Sequence, residues 1–275
     1  MKLSIWTSYY WNLSAEDALL ELKAHGFDYC ELSCEHAEEL IKRGEPKSVG
    51  EAFGSFAREN KIAVLQGHLS FVGIKISDPE NRAVIKKQLD LFNAIGIKSA
   101  VLHLDPVADE NGVKAPVEVA RKANVEALSD ILEYIKGTDI VVCLENLITS
   151  PAANTVEGLM YYIEHFNSKN LGICLDTGHL NINGKDPARF IKTAKNHIKA
   201  LHLADNEGQR DQHMMPYGRG NVDFETVIRE TKAINYQGLY NLEIPGEVSA
   251  PQEVRGYKLD YIQKIMAYLD KITDK

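Results

Sequence analysis

The chain has 275 residues, of which 44% are hydrophobic and 25% charged, and its formal net charge is −8. These proportions are ordinary for globular proteins and exclude a chain that is disordered throughout. The acidic balance and the lack of a basic stretch disfavour a dedicated nucleic-acid binder, because nothing along the sequence would neutralise a run of phosphates.

Neither a membrane segment nor a secretion signal is evident. No apolar run approaches the roughly 20 residues that a membrane helix needs, and the N-terminus lacks the apolar core and cleavage site of a signal peptide. The four cysteines, Cys30, Cys34, Cys143 and Cys174, lie in or beside apolar runs and form no Cys-x-x-Cys pair. This usage is typical of buried, reduced thiols. We therefore expect a cytoplasmic protein without a membrane partner.

Short β-rich runs alternate with longer amphipathic stretches along the chain. The predicted strands are Leu3–Trp6, Asp28–Leu32, Ile62–Leu65, Ser99–Leu102, Ile140–Leu144, Leu171–Leu175, Ile198–Leu203 and Leu239–Leu242. Ser14 caps the first predicted helix, which Gly26 ends. The other predicted helices are Val49–Asn60, Glu80–Ile95, Pro116–Ile135, Thr155–Phe166, Asp186–Lys195, Asp223–Ile234 and Glu253–Ile272.

This alternation indicates a parallel sheet covered by helices. Eight strand–helix units are the number that closes into a (β/α)8 barrel. The competing architecture, a doubly wound open sheet, would place a glycine fingerprint after the first strand, where this chain reads Thr7-Ser8-Tyr9-Tyr10-Trp11. No linker interrupts the alternation, so we predict one (β/α)8 TIM barrel domain over residues 1–275.

Titratable side chains collect where the predicted strands end, the face on which barrel enzymes carry their active sites. Six of the nine histidines fall there, together with several carboxylates. In chain order the residues are Glu35, His36, His68, His103, Asp105, Glu145, Asp176, His179, His202, Asp205, Asp211, His213 and Glu243. A carboxylate that ends an apolar strand is costly to bury alone, and a divalent cation is its natural partner.

Four of these residues form the main predicted metal site. Glu145, Asp176, His202 and Glu243 follow four successive strands and offer three oxygen ligands and one nitrogen ligand. Such a set suits Mn²⁺, Mg²⁺, Co²⁺ or Zn²⁺ and leaves room for substrate oxygens.

Five further residues are candidates for a second or third ion, or for substrate contacts. His68 and His103 would bind an ion bridged by the first glutamate of the main site. His179, Asp211 and His213 would bind another, since the Asp-x-His spacing places two ligands on one side of an extended segment.

At these residues the sequence resembles the xylose-isomerase-like barrel superfamily, which includes sugar isomerases and epimerases, related dehydratases and the endonuclease IV type of DNA-repair enzyme. The matching segments are Leu144-Glu145-Asn146, Cys174-Leu175-Asp176-Thr177-Gly178-His179, Leu201-His202-Leu203-Ala204-Asp205-Asn206, Asp211-Gln212-His213, Gly218-Arg219-Gly220, Asp223-Phe224 and Leu242-Glu243. They cover the C-terminal half, whereas the N-terminal half matches mainly by its strand–helix period and by His68 and His103.

The resemblance implies roles by position. In the sugar epimerase branch, residues matching Glu145, Asp176, His202 and Glu243 hold one metal ion, the two glutamates act as acid and base, and the residue matching His179 contacts substrate. Mn²⁺ is the ion we expect. In the endonuclease branch all nine positions, including the five further residues, hold three zinc ions.

The chain departs from the endonuclease branch after the seventh predicted strand. That branch typically reads His-Leu-Asn-Asp-Ser-Lys, whereas this chain reads His202-Leu203-Ala204-Asp205-Asn206-Glu207. An acid in place of the lysine weakens contact with a phosphate backbone, so nucleic acid is not the expected partner.

We therefore predict a metal-dependent isomerase or epimerase of a sugar or sugar phosphate. It would abstract a proton next to a carbonyl, with Glu145 and Glu243 flanking the substrate and a metal stabilising the enediolate. A keto-polyol dehydratase with the same chemistry and an endonuclease IV-like zinc phosphoesterase acting on abasic DNA remain as alternatives. Helical faces of such barrels often pair, which makes a homo-oligomer one candidate state, but the sequence singles out no patch and leaves the oligomeric state open.

Two groups of residues outside the predicted metal sites have two interpretations. Lys75, Arg210 and Arg219 lie in loops of the active-site face and either bind a substrate phosphate or are surface charges, with Arg210 the preferred substrate contact. The aromatic residues after the first strand either wall a sugar pocket or cap the barrel; they are Trp6, Tyr9, Tyr10 and Trp11.

Overall fold

The structure is a computed structural model and describes residues 1–106, 114–148 and 150–273. In these ranges eight parallel strands pair in sequence order and close into a barrel. The strands are β1 Leu3–Trp6, β2 Tyr29–Leu32, β3 Ala63–His68, β4 Ser99–Leu102, β5 Val141–Glu145, β6 Leu171–Asp176, β7 Ile198–Leu203 and β8 Tyr240–Leu242. The predicted (β/α)8 barrel is confirmed, while its extent as one domain over residues 1–275 stays a prediction.

Helices surround the barrel and follow its strands. They are α1 Ala15–Ala24, α2 Cys34–Lys42, α3 Pro46–Glu59, α4 Pro79–Ile95, α5 Val117–Tyr134, α6 Val156–Phe166, α7 Thr177–Ile182, α8 Pro187–Ala194, α9 Phe224–Ala233 and α10 Gln252–Ile272. Among the described helices, none is both long and apolar enough to span a membrane.

The predicted ends of α1 and α4 have the expected local chemistry. The Ser14 side chain accepts a hydrogen bond from the Asp17 backbone N–H at the start of α1. Gly96 ends α4 in the left-handed conformation, with φ at 99°, which glycine adopts without a steric penalty. Ser14 thus starts α1, and the turn at Gly96 leads the chain from α4 into β4.

Three strands run further toward the site than the sequence predicted. β3 continues to His68, β5 ends on Glu145 and β6 ends on Asp176. Successive strand residues point to opposite faces of the sheet, so Glu145 shares a face with Cys143, and Asp176 shares one with Cys174. The two cysteines pack with Val101 and Ala200 in a small buried cluster that is separate from the main core. The strand ends therefore carry polar side chains above a small apolar layer.

Candidate metal centre and active site

Glu145, Asp176, His202 and Glu243 meet at the carboxyl end of the barrel. Glu145 and Asp176 end β5 and β6, His202 lies near the end of β7, and Glu243 directly follows β8. One ligand atom from each lies within 4.8 Å of those of the other three, and all four residues are buried. The fold thus brings together the four residues that the sequence proposed as the main metal site.

The unpaired oxygens of this cluster fit a cation. Asp176 Oδ2 and Glu243 Oε2 are buried and accept no hydrogen bond from the described residues, although Glu243 Oε2 lies 3.2 Å from His202 Nδ1. A buried acceptor left unsatisfied costs about 1–3 kcal/mol, and more when it is charged. Three carboxylates and one imidazole are suitable ligands for a divalent ion, and such an ion would satisfy these oxygens.

His68 and His103 approach the other side of Glu145. His103 Nε2 lies 2.8 Å from Glu145 Oε2 and His68 Nε2 lies 3.5 Å from the same oxygen. One ligand atom from each of the three residues lies within 4.8 Å of the others. The second predicted ligand set is therefore also brought together, and Glu145 belongs to both sets.

Asp211 joins two histidines above the barrel mouth. Its Oδ2 lies 3.1 Å from His179 Nε2 and 3.1 Å from His213 Nε2. His213 has a φ of 44°, a conformation that few non-glycine residues adopt. Its Nδ1 lies 2.8 Å from the Glu243 carbonyl oxygen, and its ring stacks on Trp6 with centroids 6.1 Å apart. These contacts hold the long β7–α9 loop over the site.

The neighbouring histidines keep the two glutamates charged. Burial by itself raises the pKa of the Glu145 carboxyl, but the charges of His103 and His202 leave that pKa well below its ordinary value. Burial likewise raises the pKa of Glu243, whereas His202 and His213 lower it to about 2. Both carboxylates are therefore ionised at neutral pH and attract a cation.

Asp176 and His179 titrate differently. Burial, with the nearby charges of Glu145 and Glu243, raises the pKa of Asp176 to about 7. Burial lowers the pKa of His179, but Asp176 and Asp211 outweigh it and raise that pKa to about 12. A cation that binds Asp176 would compete with its proton, so metal binding here would displace that proton.

Glu31 also belongs to this site, although it was not among the site residues predicted from the sequence. Glu31 lies in β2 and is fully buried. Its Oε2 is 2.9 Å from His202 Nε2 and accepts a hydrogen bond from the Gln66 side-chain amide. The signal was present, because Glu31 is a carboxylate in an apolar strand, like Glu145. Its partner is 171 residues away, and local pattern does not reveal that pairing.

Glu35 and His36 follow the end of β2, as the sequence predicted, but neither belongs to a group of candidate ligands among the described residues. Both residues lie on α2, which the sequence analysis did not predict. Glu35 is exposed, while His36 is buried with Nδ1 2.8 Å from Thr7 Oγ1 and Nε2 3.1 Å from the Leu13 carbonyl oxygen. Burial lowers the pKa of His36. His36 therefore fastens the β1–α1 loop.

Two predicted strand-end aspartates support loops. Asp105 accepts hydrogen bonds from the Ile76 and Ser77 backbone N–H groups. Asp205 accepts from the Asn206 and Val222 backbone N–H groups. Both side chains shape the walls of the site.

The candidate phosphate-binding cations lie on the surface. Lys75 and Arg210 are exposed, and Arg219 forms an exposed ion pair with Glu207. Arg210 adjoins Asp211 in the sequence, and its role as a substrate contact stays a prediction.

The predicted aromatic residues differ in role: some wall the site and others cap the barrel. Trp6 stacks on His213 and so walls the site. Tyr9 and Tyr10 are buried and pack against the Arg255 guanidinium, which makes them part of the barrel's cap. Trp11 is exposed.

Comparison with known proteins identifies the family. Residues 19–267 match the family model described as xylose isomerase-like TIM barrel. Because the match covers most of the sequence, this chain belongs to the xylose isomerase-like TIM barrel family.

Sequence relatives include proteins without an assigned function and an epimerase. The chain is 32% identical over 159 residues to an uncharacterised protein of Methanocaldococcus jannaschii, covering 55% of this chain and 53% of the relative. It is 23% identical to an uncharacterised protein of Sinorhizobium fredii, covering 59% and 52%. It thus spans about half the length of these two relatives. It is also 21% identical over 257 residues to the L-ribulose-5-phosphate 3-epimerase of Escherichia coli O1:K1, covering 82% and 81%.

Solved structures share the fold over nearly the whole chain. D-psicose 3-epimerase from Clostridium cellulolyticum H10, solved with D-tagatose, has a TM-score of 0.82 at 18% identity and covers 98% of this chain and 99% of its own. A D-tagatose 3-epimerase-like protein has a TM-score of 0.79 at 21% identity and covers 100% of both. At these identities the likeness shows the fold alone.

Proposed function

We propose that this protein is a divalent-metal-dependent epimerase or isomerase that moves a proton at the carbon next to a sugar's carbonyl. The observation that carries the proposal is the buried cluster of Glu145, Asp176, His202 and Glu243, with its two unpaired carboxylate oxygens at the barrel mouth. Sugar epimerases among the relatives and the structural neighbours support the same reaction class.

Glu145 and Glu243 are the proposed acid and base. They come from β5 and β8, and both face His202 Nδ1, at 3.4 and 3.2 Å. A substrate that enters the mouth lies between them, so one carboxylate takes the proton and the other returns one to the opposite face.

The proposed metal ligands are the four residues of the buried cluster, with Mn²⁺ the preferred ion and Zn²⁺, Co²⁺ or Mg²⁺ the other candidates. A bound divalent cation would supply charge stabilisation at the substrate oxygen that becomes negative. His179, Asp211 and His213, at the rim of the site, are positioned to orient substrate hydroxyls. The proposed partner is thus a small sugar, whereas the cytoplasmic location stays a prediction and the homo-oligomer stays one candidate state.

A second candidate function is phosphoester hydrolysis, which the additional set of His68, His103 and Glu145 favours. The acidic net charge and Glu207 in the β7–α9 loop weigh against a DNA substrate. Metal stoichiometry separates the two. One ion per chain by elemental analysis of protein purified without chelator supports the epimerase, and two or three zinc ions with abasic-site cleavage would replace it.

The proposal is tested by replacing one glutamate of the pair. We expect Glu243→Gln to lower ketose epimerisation by several orders of magnitude, measured by NMR with the metal-loaded protein, because the amide takes no proton. The matched control is Glu247→Gln, an exposed carboxylate paired with Lys258, which should keep the wild-type rate. Near-normal turnover by Glu243→Gln would contradict the assignment.

A further inference from the structure

A side lobe opens from the candidate active site between the loops that follow β3, β4 and β5. Its volume is about 280 Å³, close to the lower end of the range of about 300–1,000 Å³ typical of small-molecule sites. His103 and His179 line both the lobe and the metal cluster, so a substrate held at the cluster extends directly into it. The lobe is therefore part of the same binding space.

The wall of this lobe is mostly apolar. Phe71, Ile74, Leu147 and Ile148 line it. The Phe71 ring lies against the His103 ring with centroids 4.4 Å apart, and 37% of the Phe71 residue surface is exposed. An apolar face of a ligand that covers this wall would remove apolar surface from water.

The β3–α4 loop holds Phe71 in a fixed place. The Leu69 backbone N–H donates to the Val101 carbonyl oxygen on one side of Phe71. On the other side, Asp105 accepts hydrogen bonds from Ile76 and Ser77 at 2.9 and 2.8 Å. Asp105 is the carboxylate at the lobe, and its two oxygens are already used by these bonds.

The histidines of the lobe are also engaged. His179 Nδ1 lies 2.9 Å from the Asn146 carbonyl oxygen and Nε2 lies 3.1 Å from Asp211 Oδ2. His103 Nε2 lies 2.8 Å from Glu145 Oε2. A phosphate entering the lobe would meet these three ring nitrogens already facing carboxylates or a carbonyl.

Among the residues that the structure describes, neither lysine nor arginine lines the lobe, and the His179 imidazole already faces Asp211. In the sequence, residues 107–113 and 149 likewise include neither lysine nor arginine. A phosphate carries about −1.5 to −2 charges near neutral pH and binds through arginine, lysine or free N–H groups. Burying it without such partners is costly.

Resting on the proposed function, we infer that the lobe binds the chain end of an unphosphorylated ketose, so that the substrate class is the free sugar and not its phosphate. Phe71 and Ile148 are the specificity-determining residues. The wall packs on the carbon side of the sugar, and the described lining offers a terminal phosphate neither lysine nor arginine.

The experiment compares matched pairs on metal-loaded wild-type protein: L-ribulose with L-ribulose 5-phosphate, and D-fructose with D-fructose 6-phosphate. Epimerisation is followed by NMR and binding by titration calorimetry. We expect the free ketose to exceed its phosphate by at least tenfold in kcat/KM and in affinity. Phe71→Ala should raise KM for the free ketose severalfold with a smaller change in kcat.

A charge-installing variant supplies the converse test. Ile148→Lys places an ammonium in the lobe at a partly exposed position and should shift the phosphate-to-free-sugar ratio toward the phosphate by at least tenfold. Leu20→Lys adds the same charge at an exposed position on α1 and should leave the ratio unchanged.

The outcomes separate the two proposals. A preference of wild-type protein for the free ketose below tenfold, or a preference for the phosphate, would overturn the inference and leave the proposed function standing. Binding of neither member of any pair, with no turnover, would overturn the proposed function and the inference that rests on it.

Discussion

Glu31 contacts the ring nitrogen of His202 that is not directed at the other candidate metal ligands. Its Oε2 lies 2.9 Å from His202 Nε2, while His202 Nδ1 faces Glu145 and Glu243. A carboxylate that accepts from the second nitrogen of a ligand histidine fixes the ring orientation and the tautomer. Glu31 is therefore a positioning residue for the nitrogen ligand of the proposed site.

We predict that Glu31→Gln weakens Mn²⁺ binding by about 10–100-fold, the usual effect of losing such a partner. The amide keeps the size of the side chain and loses the charge that orients the imidazole. Titration calorimetry measures the affinity, and Glu35→Gln, an exposed carboxylate on α2, is the control. An affinity within twofold of wild type would show that His202 is oriented without Glu31.

Residues at strand ends could be predicted, and their partners could not. Glu145, Asp176 and Glu243 were identifiable because each follows a β-rich run, and a barrel places strand ends together. Glu31 lies within the predicted second strand, where burying an unpaired carboxylate costs as much as at a strand end. The same reasoning could therefore have identified it. His36 looked equivalent to His68 because the sequence did not reveal that α2 begins at Cys34.

At the scale of elements, the β7–α9 loop is folded around Asp205. Its side chain accepts from the Asn206 and Val222 backbone N–H groups at 2.9 and 3.0 Å, and its backbone pairs with Met214. A Cβ atom on Gly220 would overlap the Asp205 carboxylate. Glycine is required here because of this close approach.

Gly220→Ala is predicted to lower the free energy of unfolding by about 1–3 kcal/mol, since the added methyl group displaces a carboxylate that organises the loop. Denaturant unfolding measures the change. Arg219→Ala removes only an exposed ion pair with Glu207, a change of about 0–1 kcal/mol. Equal stability of the two variants would mean that the loop accommodates the methyl group freely.

The sequence predicted the long helices better than the short ones. The helix after Gly220 was expected to begin at Asp223, and the Asp223 side chain does accept from the Thr226 N–H at the start of α9. The six-residue helix α7 was not predicted, because it follows β6 without a loop. Asp176 caps α7 through Oδ1, which leaves Oδ2 for the site.

At the scale of the whole molecule, Arg255 joins the two ends of the chain. It is buried near the start of α10, and its guanidinium donates to the Tyr9 carbonyl oxygen and to Asn12 Oδ1. The Tyr9 hydroxyl donates in return to the Arg255 carbonyl oxygen at 2.8 Å. With the pairing of β1 and β8, these bonds close the barrel.

Arg255→Met should destabilise the fold by about 2–4 kcal/mol, because it leaves buried acceptors on the β1–α1 loop without donors. Thermal and denaturant unfolding report the loss. Arg189→Met is the control, since Arg189 forms an exposed ion pair with Glu157 and its loss costs about 0–1 kcal/mol. If Arg255→Met were as stable as wild type, strand pairing alone would be sufficient to close the barrel.

Barrel closure itself was predictable from the eight strand–helix repeats. The Arg255 contacts were not, since they join residues 246 apart and arginine in an amphipathic helix ordinarily faces water. The stacking of Trp6 on His213 was also not predictable, because the two residues lie far apart in the sequence and the local pattern around neither indicates the other.

The proposed proton transfer next to a carbonyl can be tested with solvent deuterium. A free ketose is incubated in ²H₂O with the metal-loaded protein, and the product epimer is examined by NMR. We expect deuterium at the inverted carbon, with Glu247→Gln matching wild type and Glu243→Gln forming no labelled epimer. Epimer formed without deuterium at that carbon would contradict proton exchange through Glu145 and Glu243.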